Sequence, residues 1–168
     1  APYKSVLTHG FVVDGSGRKM SKSAGNVVSP QEIFQQHGAE ILRLWVAAED
    51  YRDDIRISKN ILVQLIEAYR RIRNTCRFLI GNIHDFDPKI HRAEYKDLME
   101  IDRWALYRLQ KLIQRIRESY DHSEFHMVYH ALYNFCVVDM SAIYLDILKD
   151  RLNTLHRESR ERRSAQQA

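Results

Sequence analysis

Hydrophobic positions follow two regimes along this 168-residue chain: clustered and interrupted up to Ile57, periodic at three- and four-residue spacing from Ser58 onward. In the first regime, Val6, Leu7, Phe11, Val12 and Val13 around Thr8-His9-Gly10 predict one or two short strands between Ser5 and Asp14, turning at Gly15-Ser16-Gly17. Ser29-Pro30-Gln31-Glu32 predicts a helix start, with Ser29 as N-cap, Pro30 in the first helical position and Glu32 closing a capping box. That helix is expected to reach about His37 and stop at Gly38. A second short helix, Ala39 to Ala48, follows with Ile41, Leu42, Leu44, Trp45 and Val46, and with Arg43 on its polar side. The charge-dense run from Asp50 ends in Ile55-Arg56-Ile57, which alternates like a short strand and marks a joint between domains.

In the second regime Ser58 is placed as an N-cap. Leu62, Leu65, Tyr69, Ile72, Cys76 and Leu79 lay one apolar stripe along a helix that stops at Gly81-Asn82. After a charged linker from Ile83 to Lys96, a second stripe runs Leu98, Ile101, Ala105, Leu109, Leu112, Ile116 and Tyr120. A third runs Phe125, Val128, Leu132, Phe135, Met140, Ile143 and Ile147. Three long amphipathic helices must bury their stripes against one another, so the expected fold is mainly α, a helix bundle over 58–157 preceded by a small α/β segment over 1–57. The apolar-poor residues 158–168 are expected to form a frayed polar tail.

A composition of 45% hydrophobic and 29% charged residues fits a globular protein of one or two domains. Cys76 and Cys136 lie far apart in sequence without metal-ligand spacing, which predicts two reduced thiols and no disulfide framework. No apolar run approaches the length that spans a bilayer, so no membrane is expected. His122, His126 and His130 recur every four residues, but no Cys, Asp or Glu completes a set on that face, so no metal site is assigned. Phe78, Trp104, Tyr107, Tyr129, Tyr133 and Phe135 fall on or beside the stripes and are expected to pack the bundle.

The net charge of +4 is unevenly distributed. Ala1 to Ile57 balances to zero, whereas Ser58 to Gly81 carries five basic residues (Lys59, Arg70, Arg71, Arg73, Arg77) against Glu67 alone. Such clustering is the footprint of a polyanion-binding surface, or of a basic helix neutralised by acidic neighbours in a bundle. Arg70, Arg73 and Arg77 share one side of the helix about a hundred degrees from the apolar stripe. Asp102, Asp139 and Asp146 are the carboxylates that could tie them up.

The densest chemistry lies in Gly15 to Asn26, Gly-Ser-Gly-Arg-Lys-Met-Ser-Lys-Ser-Ala-Gly-Asn. Glycines free to take positive φ flank two lysines three apart, with serine hydroxyls between and after them. Lysine ammoniums are mobile point charges able to follow a phosphate, and hydroxyls and backbone N–H groups can meet its remaining oxygens. Composition alone leaves a solvated loop with ordinary surface lysines equally open.

Lys19-Met20-Ser21-Lys22-Ser23 resembles the KMSKS signature of class I aminoacyl-tRNA synthetases, and a chance match in such a chain is on the order of 10⁻⁴. Tyr69 to Leu79 is similar to the run that opens the anticodon-binding bundle of isoleucyl-tRNA synthetases. Asp139 to Asp146 and Lys149 to Leu152 resemble a later motif of that bundle, and Leu7 to Val12 and Leu42 to Val46 match the same branch better than the valine, leucine or methionine enzymes. Ala24 and Asn153 depart from the usual leucine and tyrosine. His9-Gly10 does not match the other class I signature, HIGH, and is read as a structural or solvent-facing histidine.

The resemblance implies a piece of an ATP-dependent isoleucine–tRNA ligase: the end of a Rossmann-type catalytic domain with its loop, then the anticodon-binding bundle. The abrupt start without Met agrees with that expectation. It implies that Lys22 is the main transition-state stabiliser with Lys19 assisting, and that Lys19, Met20, Ser21, Lys22 and Ser23 bind ATP with its Mg²⁺. It further implies that Arg70, Arg73, Asn74 and Arg77 contact tRNA. Zinc is expected in the longer protein, through cysteines absent here. The remaining expectations are isoleucine as substrate, a monomer and a cytoplasmic location. The alternatives are a fragment of a valine, leucine or methionine synthetase within the class and, from another class, a non-catalytic helical module that binds a protein partner.

Overall fold

The structure is a computed structural model and describes residues 2–168. Its first part is a parallel strand pair with a helical crossover. Strand β1 (Val12–Asp14) pairs in register with β2 (Ile55–Ile57), Val12 opposite Ile55 and Asp14 opposite Ile57. Parallel strands need a long connection, and residues 15–54 supply it as the glycine-rich loop, helix α1 (Pro30–His37) and helix α2 (Ala39–Ala48). Of the one or two strands expected between Ser5 and Asp14 only β1 forms, and just before it the Gly10 N–H bonds the Tyr51 carbonyl and the Phe11 N–H bonds the Asp54 carboxylate. Gly38 turns the chain between the two helices at φ 86°, where a β-carbon would be strained, while its N–H caps the carbonyl of Phe34. The capping box is not made: the Ser29 hydroxyl donates to Gln31 Oε1 at 3.0 Å rather than receiving a helix N–H.

Ser58 does cap the long helix α3 (Lys59–Asn82), its hydroxyl accepting from the Ile61 N–H. A single-turn 3₁₀ segment (Tyr95–Asp97) precedes α4 (Glu100–Asp121). One unbroken helical run follows, as α5 (Phe125–Asn134), a π-helical stretch (Phe135–Tyr144) and α6 (Leu145–Thr154). The π stretch accounts for the five-residue step from Phe135 to Met140 in the third stripe: an extra residue per turn lets Cys136, Asp139, Met140 and Tyr144 all face inward. From there the inward face is Leu145, Leu148 and Leu152, and Ile143 and Ile147, expected inside, are exposed.

Two hydrophobic cores share these helices. The first joins Ile33, Ile41, Trp45, Ile55 and Ile57 of the α/β part to Leu62 and Leu65 of α3. The second gathers Ala105, Met140, Tyr144, Leu145, Leu148, Leu152 and Ala165, with Phe78 of α3 against it. Helix α3 therefore belongs to both, and the α/β segment is seated on the bundle; Tyr51 adds a hydrogen bond to the Ser123 carbonyl at 2.7 Å.

Two further expectations are overturned. The polar tail is a helix, α7 (Arg160–Gln167), with Arg163, Ser164, Ala165 and Gln166 buried. Its burial is tolerated because the long polar side chains on its buried face find partners in the linker or at the end of α3: Arg162 and Arg163 reach Asp85, Gln166 reaches Asp85 and the Asn82 carbonyl, and Gln167 pairs with the Ala93 backbone. The run Phe125–Thr154 is, by length and composition, long and apolar enough to cross a membrane. In this structure it is the central helix of the bundle and carries the buried Asp139, which pairs with Arg108 of α4.

Candidate functional site: a stapled lysine loop and a basic helix

The loop between β1 and α1 is closed at its base by two side chains. Asp14, buried at the end of β1, accepts from the backbone N–H groups of Ser16 and Arg18 and from the Asn26 amide, each at 2.9 Å. The Arg18 backbone bond, then the Asn26 bond, hold its carboxyl down at about 2 against the opposing effect of burial. Asn26 in turn accepts from the Ser21 N–H and donates to the Lys19 carbonyl, so entrance, middle and exit of the loop meet at one amide. Gly17 and Gly25 take φ of 79° and 65° at the two bends. Met20 points inward and packs against the first core.

With Met20 as anchor, Lys19 and Lys22 are left exposed, and among the described residues neither has a carboxylate at ion-pairing distance. Ser21 and Ser23 place their hydroxyls 3.2 Å apart beside them. The structure thus brings together the lysines and serines of the signature, and adds Asp14, Asn26 and the Met20 anchor, which the sequence reading missed. An aspartate immediately before Gly-Ser-Gly is the signal that could have found the first, since such side chains bond backbone N–H groups two residues on.

On α3, Arg70 pairs with Glu67 of its own helix, both more than half exposed, a contact worth at most ~1 kcal/mol. The three acidic candidates are engaged elsewhere: Asp102 by Arg151, Asp139 by Arg108 and Asp146 by Lys149. Arg73 and Arg77 are exposed and have no ion pair among the described residues. Asn74 borders a cavity of about 420 Å³ between α3 and the central helix, with Arg71, Thr75, Phe78 and Lys149 around it.

The three evenly spaced histidines are otherwise occupied, His122 at the C-terminal end of α4 and only His126 and His130 on the central helix. His122 meets the Glu118 carbonyl, His126 lies 3.9 Å from Asp50, and His130 stands edge-on to Tyr129. Among the described residues no group of three or more His, Cys, Asp or Glu side chains could hold a metal ion. His9 is exposed and bonds only the neighbouring Gly10 carbonyl.

Residues 1–58 match the family model of class I tRNA synthetases for isoleucine, leucine, methionine and valine, and residues 102–168 match that of the anticodon-binding domain of tRNA ligases. The isoleucine–tRNA ligase of Geobacter sulfurreducens is 61% identical over 166 residues, 99% of this chain and 18% of that protein. The chain belongs to the isoleucine–tRNA ligase family. The isoleucine–tRNA ligases of Caldanaerobacter subterraneus and Symbiobacterium thermophilum are each 60% identical over 99% and 98% of the chain, again with 18% of their length covered. The chain therefore spans about a fifth of the curated relatives it matches. Its fold is similar to that of a LeuRS from Agrobacterium radiobacter K84, solved as a ternary complex with tRNA and LeuAMS. The TM-score is 0.65 and the identity 22%, with 80% of this chain and 17% of that one covered.

The loop's exposed cations suit an anion. Two lysines without counter-ions would each lose only hydration on meeting an anion, and the Asp14–Asn26 staple limits how far the loop can wander.

Proposed function

We propose that this chain is the part of an ATP-dependent isoleucine–tRNA ligase that carries the phosphate-handling loop and the tRNA-facing bundle. The observation that carries the reading is the 61% identity to an isoleucine–tRNA ligase over 99% of the chain, a span that includes both loop and bundle. Lys22, with Lys19 assisting, stabilises the negative charge that builds on pyrophosphate as the isoleucine carboxylate attacks the α-phosphorus. Cations aimed at developing charge lower the barrier more than they strengthen ground-state binding. Ser21 and Ser23 supply hydroxyls to the remaining phosphate oxygens, and Met20 seats the loop. Mg²⁺ would travel with the nucleotide as part of the substrate. Arg73 and Arg77, with Arg70 and Asn74 beside them, face tRNA. Soluble operation in the cytoplasm belongs to the same reading.

The test is a chimera in which this chain replaces the matched segment of the Geobacter sulfurreducens enzyme, assayed for isoleucine-dependent exchange of pyrophosphate into ATP and for charging of isoleucine tRNA. Activity near that of the parent is expected. Lys22→Ala in the chimera will slow adenylate formation by 10²–10³-fold, about 3–4 kcal/mol, while the isoleucine KM barely moves. A folded chimera that forms no adenylate, or a Lys22→Ala variant of undiminished rate, would sink the proposal.

A further inference from the structure

A second cationic surface lies on the opposite side of the central helix. From Arg103 to Arg117 helix α4 carries five basic residues and no acidic one, a density that the balance of charges over the remainder of the chain conceals. Three of the five, Arg108, Lys111 and Arg115, follow helical spacing and line one groove of about 170 Å³ against α5, opposite Asn134 and Asp139. The cavity at the α3 surface borders Val137, Ser141 and Leu145 instead, on the far side of the central helix, so the two surfaces are separate.

The groove has an unspent surplus of donors. Asp139 takes the Nε and Nη2 of Arg108 at 3.1 and 3.0 Å, which uses both carboxylate oxygens and fixes the guanidinium in place. Two N–H groups on Nη1 and one on Nη2 are left for another acceptor. Lys111 and Arg115 have no carboxylate at ion-pairing distance among the described residues; Glu118, one turn on from Arg115, is held by Gln114. The local charge is therefore +2 in a concavity with the room of some five or six waters, enough for a phosphate group. Lys111 also stands 5.7 Å over the ring of Tyr107, an aromatic expected inside the bundle that is 55% exposed. A half-exposed aromatic ring beside convergent cations favours a nucleic acid, whose bases stack on such rings while its phosphates meet the cations.

We propose that the α4–α5 groove binds a backbone phosphate of RNA through Arg108, Lys111, Arg115 and the Asn134 amide, as a contact independent of the α3 arginines. The assignment of RNA rests on the proposed function. The experiment is fluorescence anisotropy of labelled unfractionated tRNA with the 168-residue chain between 50 and 200 mM salt, comparing wild type, Lys111→Gln/Arg115→Gln, Arg73→Gln/Arg77→Gln and all four together. The substituted side chains are exposed, and Arg108 is left intact to preserve its pair with Asp139, so urea midpoints will stay at the wild-type value.

The α4 pair will weaken binding and lower the salt slope of log K by about 0.7–0.9, the share of the one phosphate no longer neutralised. Its effect will add to that of the α3 pair because the surfaces are apart. Inorganic phosphate will compete better against wild type than against the α4 variant. Unchanged affinity and slope in the α4 variant, with weaker binding in the α3 variant, overturns the groove and leaves the RNA reading standing. No tRNA binding by wild type overturns both. Competition by poly-glutamate as strong as by tRNA, or phosphate binding at the groove with no effect of its removal on tRNA, overturns RNA as the occupant.

Discussion

Replacing Asp102 by alanine is the substitution to which the bundle should respond most sharply. Its carboxylate is fully buried, and four donors converge on it: Arg151 through Nη1 at 2.9 Å and Nη2 at 2.7 Å, the Tyr144 hydroxyl at 2.9 Å, and the Ser164 hydroxyl. Ser164 also receives the Met99 N–H at the start of α4, so one carboxylate ties together α4, α6, α7 and the π-helical stretch. Burial, then the Asp102 charge, pushes the Tyr144 phenol well above its usual range, so Tyr144 remains a donor at any working pH. Removing the carboxylate strands a guanidinium that is only 15% exposed, a loss of about 3–5 kcal/mol. Two orphaned hydroxyls add about 1 kcal/mol each at most, and not additively. Against a total stability of about 5–15 kcal/mol, this is a large fraction.

Urea unfolding followed by far-ultraviolet circular dichroism will show the midpoint of Asp102→Ala falling accordingly, with Tyr144→Phe losing only about 1 kcal/mol. Asp102→Leu combined with Arg151→Met will lose much less than Asp102→Ala, because both charges leave the interior together. A single variant within about 1 kcal/mol of wild type, or a double variant no better than the single, would refute this account.

Truncation after Arg157 would be harmless to a frayed tail; with α7 in place it will uncover the second core and free Asp85, and a thermal melt will show a lower and broader transition. Asp85 would rise on burial, but hydrogen bonds from Gln166 and Arg162 and the charges of Arg162 and Arg163 hold it down at about 2, as Asp14 is held in the loop. Both are below the ordinary carboxylate value of 3.8, so between about pH 4 and 2 the unfolded chain binds more protons than the folded one. Their contribution is present above that window and is lost as pH falls through it. Melting temperature will drop across it, and less steeply in Asp85→Asn. Asn26→Ala removes the amide that joins Asp14, Lys19 and Ser21, so limited trypsin cleavage at Lys22 will quicken severalfold while the global melt shifts little; an unchanged cleavage rate would show that the staple does not restrain the loop.

The signature loop, the helix starting after Ser58, the stops at Gly38 and Asn82 and the strand Ile55–Ile57 were all legible in the chain, because each depends on local causes: a backbone N–H to cap, a glycine at positive φ, a period that matches the element. Features that depend on which side chain meets which across the fold were not. Nothing local distinguishes the buried Arg163 and Gln166 of α7 from a solvated tail, since their burial is favourable only once Asp85 and the Asn82 carbonyl stand opposite. Nor could spacing show that Asp139 and Asp146 leave the α3 arginines exposed, for a carboxylate pairs with the cation that packing places beside it, here Arg108 and Lys149. Local order along the chain was enough to set the elements and the chemistry of the loop. Packing between distant segments set which charges were neutralised, and so which cationic surfaces remain available to bind.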